Sequence, residues 1–292
     1  MKILKSKLFW TVIIAIIFLF PFYKNYLPQQ IHDVKKYVLD KIELELALVS
    51  TREFKIDNKI ISEKMVAHAG GSIKGLKYTN SLEALNQNYE SGFRFFEMDL
   101  NLTSDDQLIM LHDWNSGVAG LFNTSEGIRT LEEFKDLEMV EGLTQMTFSE
   151  VHEWMLGYED TYLILDTKDD FKSIVLQLAQ KYPDLKLRII ISINRFKEYK
   201  TAVKLGFQNI IFSLYVPEYG LTYGDENVLR FVRNTDLIAI TLPIHRTEPE
   251  FIEKLKEKGV FVYAFTVDTV AEKEDLVDRG VQGFYSNFLG VE

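Results

Sequence analysis

Histidine is scarce in this 292-residue chain, yet two of its five histidines close short apolar runs: His68 in MVAHAGG and His112 in QLIMLHD. Between these runs, FRFFEMDL carries Glu97 and Asp99, and further on YLILDTK carries Asp166 and Lys168 at the same i, i+2 spacing. In an extended chain residues i and i+2 project from one face, so each pair points the same way. Inward-facing charges on apolar strands are costly unless something pairs with them. Three converging carboxylates repel each other, and one hard divalent cation with oxygen ligands, Mg²⁺ or Ca²⁺, resolves that repulsion. Two histidines beside such a site can serve as general base and general acid. Lys168 adds a positive charge for an anionic substrate or transition state. Together these parts suit phosphodiester cleavage.

Each residue also has a plainer reading. A lone histidine can be bonded in the core, Glu97 and Asp99 can form an ion-paired rim without metal, and Asp166 can simply pair with Lys168. Gly70 and Gly71 make a tight turn or allow the backbone to approach a ligand closely. Asn80 is a helix N-terminal residue or part of the site. Trp114, beside His112 and Asp113, is packing or lines a substrate pocket. His32, His152 and His245 lie outside the constellation and read as structural or surface residues.

The elements that must position these groups are legible in the apolar pattern. Strands are predicted at 65–69, 93–100, 162–167, 188–193, 209–215, 236–242, 260–267 and 283–286, with 107–112 as a hairpin arm on the second. Amphipathic stretches such as FKSIVLQLAQKY and VAEKEDLVDRG separate them, and several end in Gly as a helix C-cap should. Strand–helix alternation implies right-handed parallel β/α units, and eight of them make a closed (β/α)₈ TIM barrel. In that fold chemistry sits at the C-terminal ends of the strands. His68, Glu97, Asp99, His112, Asp166 and Lys168 are all placed there.

Composition narrows the rest. Net charge is −10, which argues against a nucleic-acid partner. With no cysteine, a disulfide framework and a Cys-based zinc site are excluded. MKILKSK is followed by LFWTVIIAIIFLFPFY, residues 8–23, without a charge. As a helix it rises roughly 24 Å, and snorkelling Lys7 and Lys24 with interfacial Tyr23 and Tyr26 can close the gap to the hydrocarbon core. A cleaved signal peptide is the alternative, but no small-x-small site follows the apolar core. The expectation is therefore three parts: a single-pass transmembrane anchor over 1–27, a helical connector over 28–63 and a barrel over 64–292. Lysines before the span outnumber those just after it, which places the N-terminus in the cytoplasm and the barrel outside.

The ordered motifs resemble those of the glycerophosphodiester phosphodiesterase family, within the phospholipase C-like phosphodiesterase barrels. HAGG is similar to the family's His-Arg-Gly, and YTNSLEAL to its Pro-Glu-Asn-Thr helix start. FEMDL, LHD and LDTK are similar to Glu-x-Asp, His-Asp and Glu-x-Lys, in the same order. The resemblance covers about residues 65–288. It implies a metal held by Glu97, Asp99 and Asp166, an acid–base pair of His68 and His112 in undetermined order, and Lys168 as a phosphate contact. Gly70, Asn80, Trp114 and Phe265 complete the expected substrate-binding set. The resemblance further implies that a neighbouring substrate hydroxyl attacks phosphorus and that the cyclic phosphate is then hydrolysed. Its substrates would be glycerophosphodiesters, lipid head groups or surface-polymer phosphodiesters.

The chain departs from the family pattern at four positions: Ala69 for the usual arginine, Thr79 for the glutamate, Asp166 for the strand-3 glutamate and Phe265 for the strand-7 tryptophan. Loss of the arginine removes a fork suited to phosphate, which Lys74 or Lys77 could replace. Asp-x-Lys is also similar to the sphingomyelinase D-like toxins, which makes such a phospholipase one alternative. A catalytically silent barrel that binds a phosphorylated glycan or lipid in envelope assembly is the other.

Overall fold

The computed structural model describes residues 41–45, 47, 64–215 and 223–291. Strands β1 (Met65–Ala67) and β2 (Phe95–Leu102) are followed by a short arm, β3 (Leu108–Met110), antiparallel to β2. Six more strands continue the circuit: β4 (Tyr162–Thr167), β5 (Ile189–Ile193), β6 (Ile210–Ser213), β7 (Ala239–Pro243), β8 (Phe261–Phe265) and β9 (Gly283–Ser286). Neighbours pair in parallel, and β1 pairs with both β9 and β2, which closes an eight-stranded barrel. The expected strand order is found, with ends shifted by a few residues.

Helix α1 (Leu82–Glu90) links β1 to β2, and α2 (Ser116–Phe122), α3 (Leu131–Lys135) and α4 (Phe148–Gly157) lie between β3 and β4. Then α5 (Phe171–Lys181), α6 (Phe196–Lys204), α7 (Asp225–Arg233), α8 (Pro249–Lys256) and α9 (Val270–Asp278) each follow one of the strands β4 to β8. Local sequence fixes several starts. Thr130, Thr147 and Thr269 each open a Thr-x-x-Glu capping box, with Glu133, Glu150 and Glu272 reaching back to the cap N–H.

Side-chain alternation divides every strand between two apolar layers. Outward residues such as Phe96, Met98, Leu163, Leu165, Ile191 and Phe212 pack under the helices. Inward residues, among them Val66, Phe95, Ile164, Ile190, Ile211 and Tyr263, fill the barrel. Each fully buried side chain of this size contributes about 1.5–3 kcal/mol. Gly283 is required inside: a Cβ there would lie 2.4 Å from Cε1 of Tyr263. Toward the C-terminal ends the inward positions turn polar, with Glu97, Asp99, Ser192, Ser213 and Thr241 all buried.

The anchor expected over 1–27 and most of the 28–63 connector lie outside the described residues. Among the described residues no helix is long and apolar enough to cross a membrane. Part of the connector is described: residues 41–45 are helical, and Leu44 and Ala47 bury into the shell under the helices. Glu43 accepts from the Tyr223 hydroxyl at 3.1 Å, and Glu45 pairs with Arg230 at 2.5 Å.

Candidate active site

His68 stands one residue beyond β1, in a turn whose next three residues have positive φ: Ala69 at 50°, Gly70 at 82° and Gly71 at 87°. This turn aims the Ala69 N–H at Glu97 Oε2, 2.9 Å away. Gly71 cannot carry a side chain, since its Cβ would sit 2.4 Å from Asn88 Nδ2. The imidazole of His68 is held from behind. Its Nδ1 is 3.1 Å from Asn287 Oδ1, and Asn287 Nδ2 donates to Asp268 Oδ2 at 2.8 Å. A carboxylate only accepts, so Asn287 turns its NH₂ to Asp268 and its oxygen to His68. His68 Nδ1 must then carry the proton, and Nε2 is left as the basic nitrogen. Burial pushes the His68 pKa below the ordinary histidine value, against the pull of the Asp99 charge.

His112 follows β3 and sits in the opposite electrostatic setting. Its Nδ1 donates to Asp113 Oδ2 at 2.7 Å. Burial works against the Asp113 charge, but the N–H groups of Gly117 and Asn115, together with His112, hold its carboxyl below the usual range. His112 is thus anchored on a carboxylate, where His68 is anchored on a carboxamide.

Strands β2 and β4 supply the acids. Asp99 is in register with Asp166, and one carboxylate oxygen from each of Glu97, Asp99 and Asp166 lies within 4.8 Å of the others. Asn80 fixes the middle one: its Nδ2 donates to Asp99 Oδ2 at 2.9 Å and its Oδ1 accepts from the Asp99 N–H at 3.0 Å. Lys168 Nζ lies 2.7 Å from Asp166 Oδ2 and 3.0 Å from Asp99 Oδ1. Despite its burial, Asp166, Asp99 and Glu97 keep Lys168 protonated well above the usual lysine range. One lysine does not neutralise three acids. Burial, with the charges of Asp99 and Asp166, pushes Glu97 well above the ordinary carboxylate range. An all-oxygen donor set this close fits a hard divalent cation.

His68, Glu97, His112, Asp166 and Lys168 face one cavity of about 500 Å³. Phe265 lines it. Of the two lysines open as replacements for the arginine, Lys77 lines the cavity, whereas Lys74 Nζ donates to Glu141 O at 2.7 Å. Three expected substrate contacts are elsewhere. Asn80 is fully buried behind Asp99. Gly70 packs under α1, with its carbonyl accepting from Asn88 Nδ2 at 3.0 Å. Trp114 belongs to the apolar cluster around Ile109, Leu111 and Phe134, and its Nε1 donates to Leu102 O at 2.7 Å. The physical reason is the Asp113 turn, which accepts the Asn115 N–H at 2.8 Å and folds Trp114 outward while His112 faces in.

Sequence reasoning missed Tyr78, Asp268 and Asn287, and gave Asp113 no role beyond its place in the His-Asp motif. Tyr78 stands between the histidines, its ring centroid 5.1 Å from that of His68 and 6.1 Å from that of His112. Ser192, Ser213 and Thr241, which also line the cavity, did leave a signal as lone hydroxyls at inward positions of apolar strands.

Residues 68–291 match the model of the glycerophosphoryl diester phosphodiesterase family. The chain belongs to this family. It is accordingly a phosphoric diester hydrolase. A glycerophosphodiester phosphodiesterase of Caldanaerobacter subterraneus subsp. tengcongensis is 27% identical over 241 residues, which cover 76% of this chain and 93% of that protein. Solved structures share the barrel. The glycerophosphoryl diester phosphodiesterase from Silicibacter pomeroyi superposes with a TM-score of 0.67 at 16% identity, covering 77% of this chain and 90% of that one. The Thermotoga maritima enzyme gives 0.61 at 22% identity, covering 77% and 94%. An Oleispira antarctica phosphodiesterase, solved with the product sn-glycerol-3-phosphate, gives 0.60 at 18%, covering 77% and 93%.

Proposed function

We propose that this family member is a metal-dependent hydrolase of glycerophosphodiesters, in which His68 is the general base and His112 the general acid. The observation that carries the assignment is the opposite anchoring of the two rings, His68 on a neutral carboxamide and His112 on a carboxylate. The attacking hydroxyl gives its proton to Nε2 of His68 as its oxygen bonds to phosphorus. The bond from phosphorus to the leaving oxygen breaks, and that oxygen takes a proton from Nε2 of His112. Glu97, Asp99 and Asp166 would hold the cation, Mg²⁺ or Ca²⁺, which supplies positive charge to the phosphoryl oxygens. Lys77 and Lys168 add charge from the chain itself. The glycerol 3-phosphate bound to the Oleispira relative supports a glycerol-bearing substrate for this chain.

The proposal includes location. The uncharged run over residues 8–23 would anchor the chain in a membrane, N-terminus in the cytoplasm, with the barrel outside. The test of the activity is turnover of glycerophosphodiesters and of bis(p-nitrophenyl) phosphate, with added metal and with chelator. Turnover that disappears with chelator and returns with Mg²⁺ or Ca²⁺ is expected. A rate indifferent to exhaustive EDTA would remove the metal from the proposal, and no turnover of any diester would remove the catalytic reading.

A further inference from the structure

The described part of the connector fixes the side from which the preceding chain meets the barrel. In a β/α barrel each helix runs back from the mouth, so the starts of α6 and α7 lie at the mouth end. Glu43 is fastened to both starts. Its Oε1 accepts from the Lys197 N–H, in the first turn of α6, at 3.3 Å. The same oxygen accepts at 3.1 Å from the hydroxyl of Tyr223, which stands just before α7. Glu45 pairs with Arg230, in the second turn of α7 and so farther from the mouth. Leu44 and Ala47, on one face of this segment, bury against the shell. By Lys64 the chain has reached the base, where the Lys64 carbonyl accepts from the Phe284 N–H immediately before β1. The segment therefore descends from mouth to base, and the chain upstream of it arrives on the mouth side.

That upstream chain is short. Only residues 24–40 separate the uncharged run over 8–23 from the docked segment, a span of at most roughly 60 Å even when fully extended. The mouth rim also presents exposed apolar side chains on separate segments. Val270 opens α9, Phe288 follows β9, and Ile128 adjoins Arg129, whose carbonyl accepts from the Ser104 N–H just beyond β2. They are 60%, 50% and 61% exposed. Single exposed apolar residues are ordinary, and the base has its own in Leu156, near the end of α4, and Leu187, before β5. The connector is what distinguishes the two ends, because it brings the uncharged run to the mouth.

We infer that the barrel stands with its catalytic mouth against the membrane that holds residues 8–23, with Ile128, Val270 and Phe288 meeting the lipid headgroups. This rests on the anchor reading of that run. Apolar groups at such a boundary enter by roughly 5–10 Å, within reach of a quencher carried on the headgroup. The chain has no cysteine, so one label can be placed at a time. Ile128→Cys, Val270→Cys and Phe288→Cys put an environment-sensitive fluorophore at the mouth, and Leu156→Cys and Leu187→Cys put it at the base. Each full-length variant is incorporated into phosphatidylcholine vesicles, with and without a headgroup spin label, and floated on a density gradient. The chain is expected to float with the vesicles. Emission from the three mouth positions should shift to the blue and be lost to the spin label, while emission from the two base positions does neither. Flotation with quenching at the base, alone or together with the mouth, or with quenching at neither end, overturns the inference and leaves the anchor in place. A chain that does not float refutes the anchor, and the inference with it.

Discussion

At the scale of single residues, each proposed reacting group is held by a second one. Asn287 and Asp268 set the tautomer of His68, Asp113 orients His112, and Asn80 grips Asp99. General acid–base groups contribute roughly 10²–10⁴-fold, so His68→Ala and His112→Ala should each lower kcat by at least about 10²-fold. Steady-state kinetics with the fold checked by circular dichroism will show it. Asn80→Ala removes no candidate ligand, yet it frees the Asp99 carboxylate to rotate. Metal affinity, read by titration against activity, should fall about 10–100-fold, as for other supports of metal ligands. The proposed reacting residues were legible in the sequence because strand ends and i, i+2 spacing place them. Asn80 and Asp113 stood in the motifs without a supporting role, and Asp268 and Asn287 left no signal. Asn287 reaches His68 across 219 residues of sequence, a contact that only barrel closure creates.

At the scale of elements, the strands were readable because a buried barrel strand alternates between two apolar environments. The stretch from β3 to α4 was less so, since its short helices pack as a satellite cluster around Trp114 and Phe134 rather than on the barrel face. Sequence adjacency to His112 suggested a pocket role for Trp114, but the Asp113 turn reverses the chain between them. Trp114→Ala should therefore cost about 3–5 kcal/mol in urea unfolding, as for other buried aromatic truncations. Trp114→Phe should leave KM unchanged, whereas a pocket role would raise it. Gly71→Ala is expected to destabilise by about 1–3 kcal/mol, because φ of 87° is strained for alanine and the new Cβ meets Asn88. The same unfolding measurement tests it.

At the scale of the whole molecule, the barrel is a rigid frame carrying one polar end. The apolar shell needs the connector as well, since Leu44 and Ala47 are buried in it and Glu45 pairs with Arg230. A chain beginning near Gln30 should be soluble and as stable as the barrel requires, while one beginning at Lys64 should unfold at lower urea. The central claim is that the two histidines divide acid and base work. It is tested most directly by the rates of His68→Ala and His112→Ala on glycerophosphodiesters with leaving alcohols from alkanol to p-nitrophenol. A p-nitrophenolate leaving group needs little protonation, so His112→Ala is predicted to recover most of its loss on that substrate while His68→Ala recovers none. Equal recovery by both variants, or recovery by His68→Ala alone, would contradict the assignment.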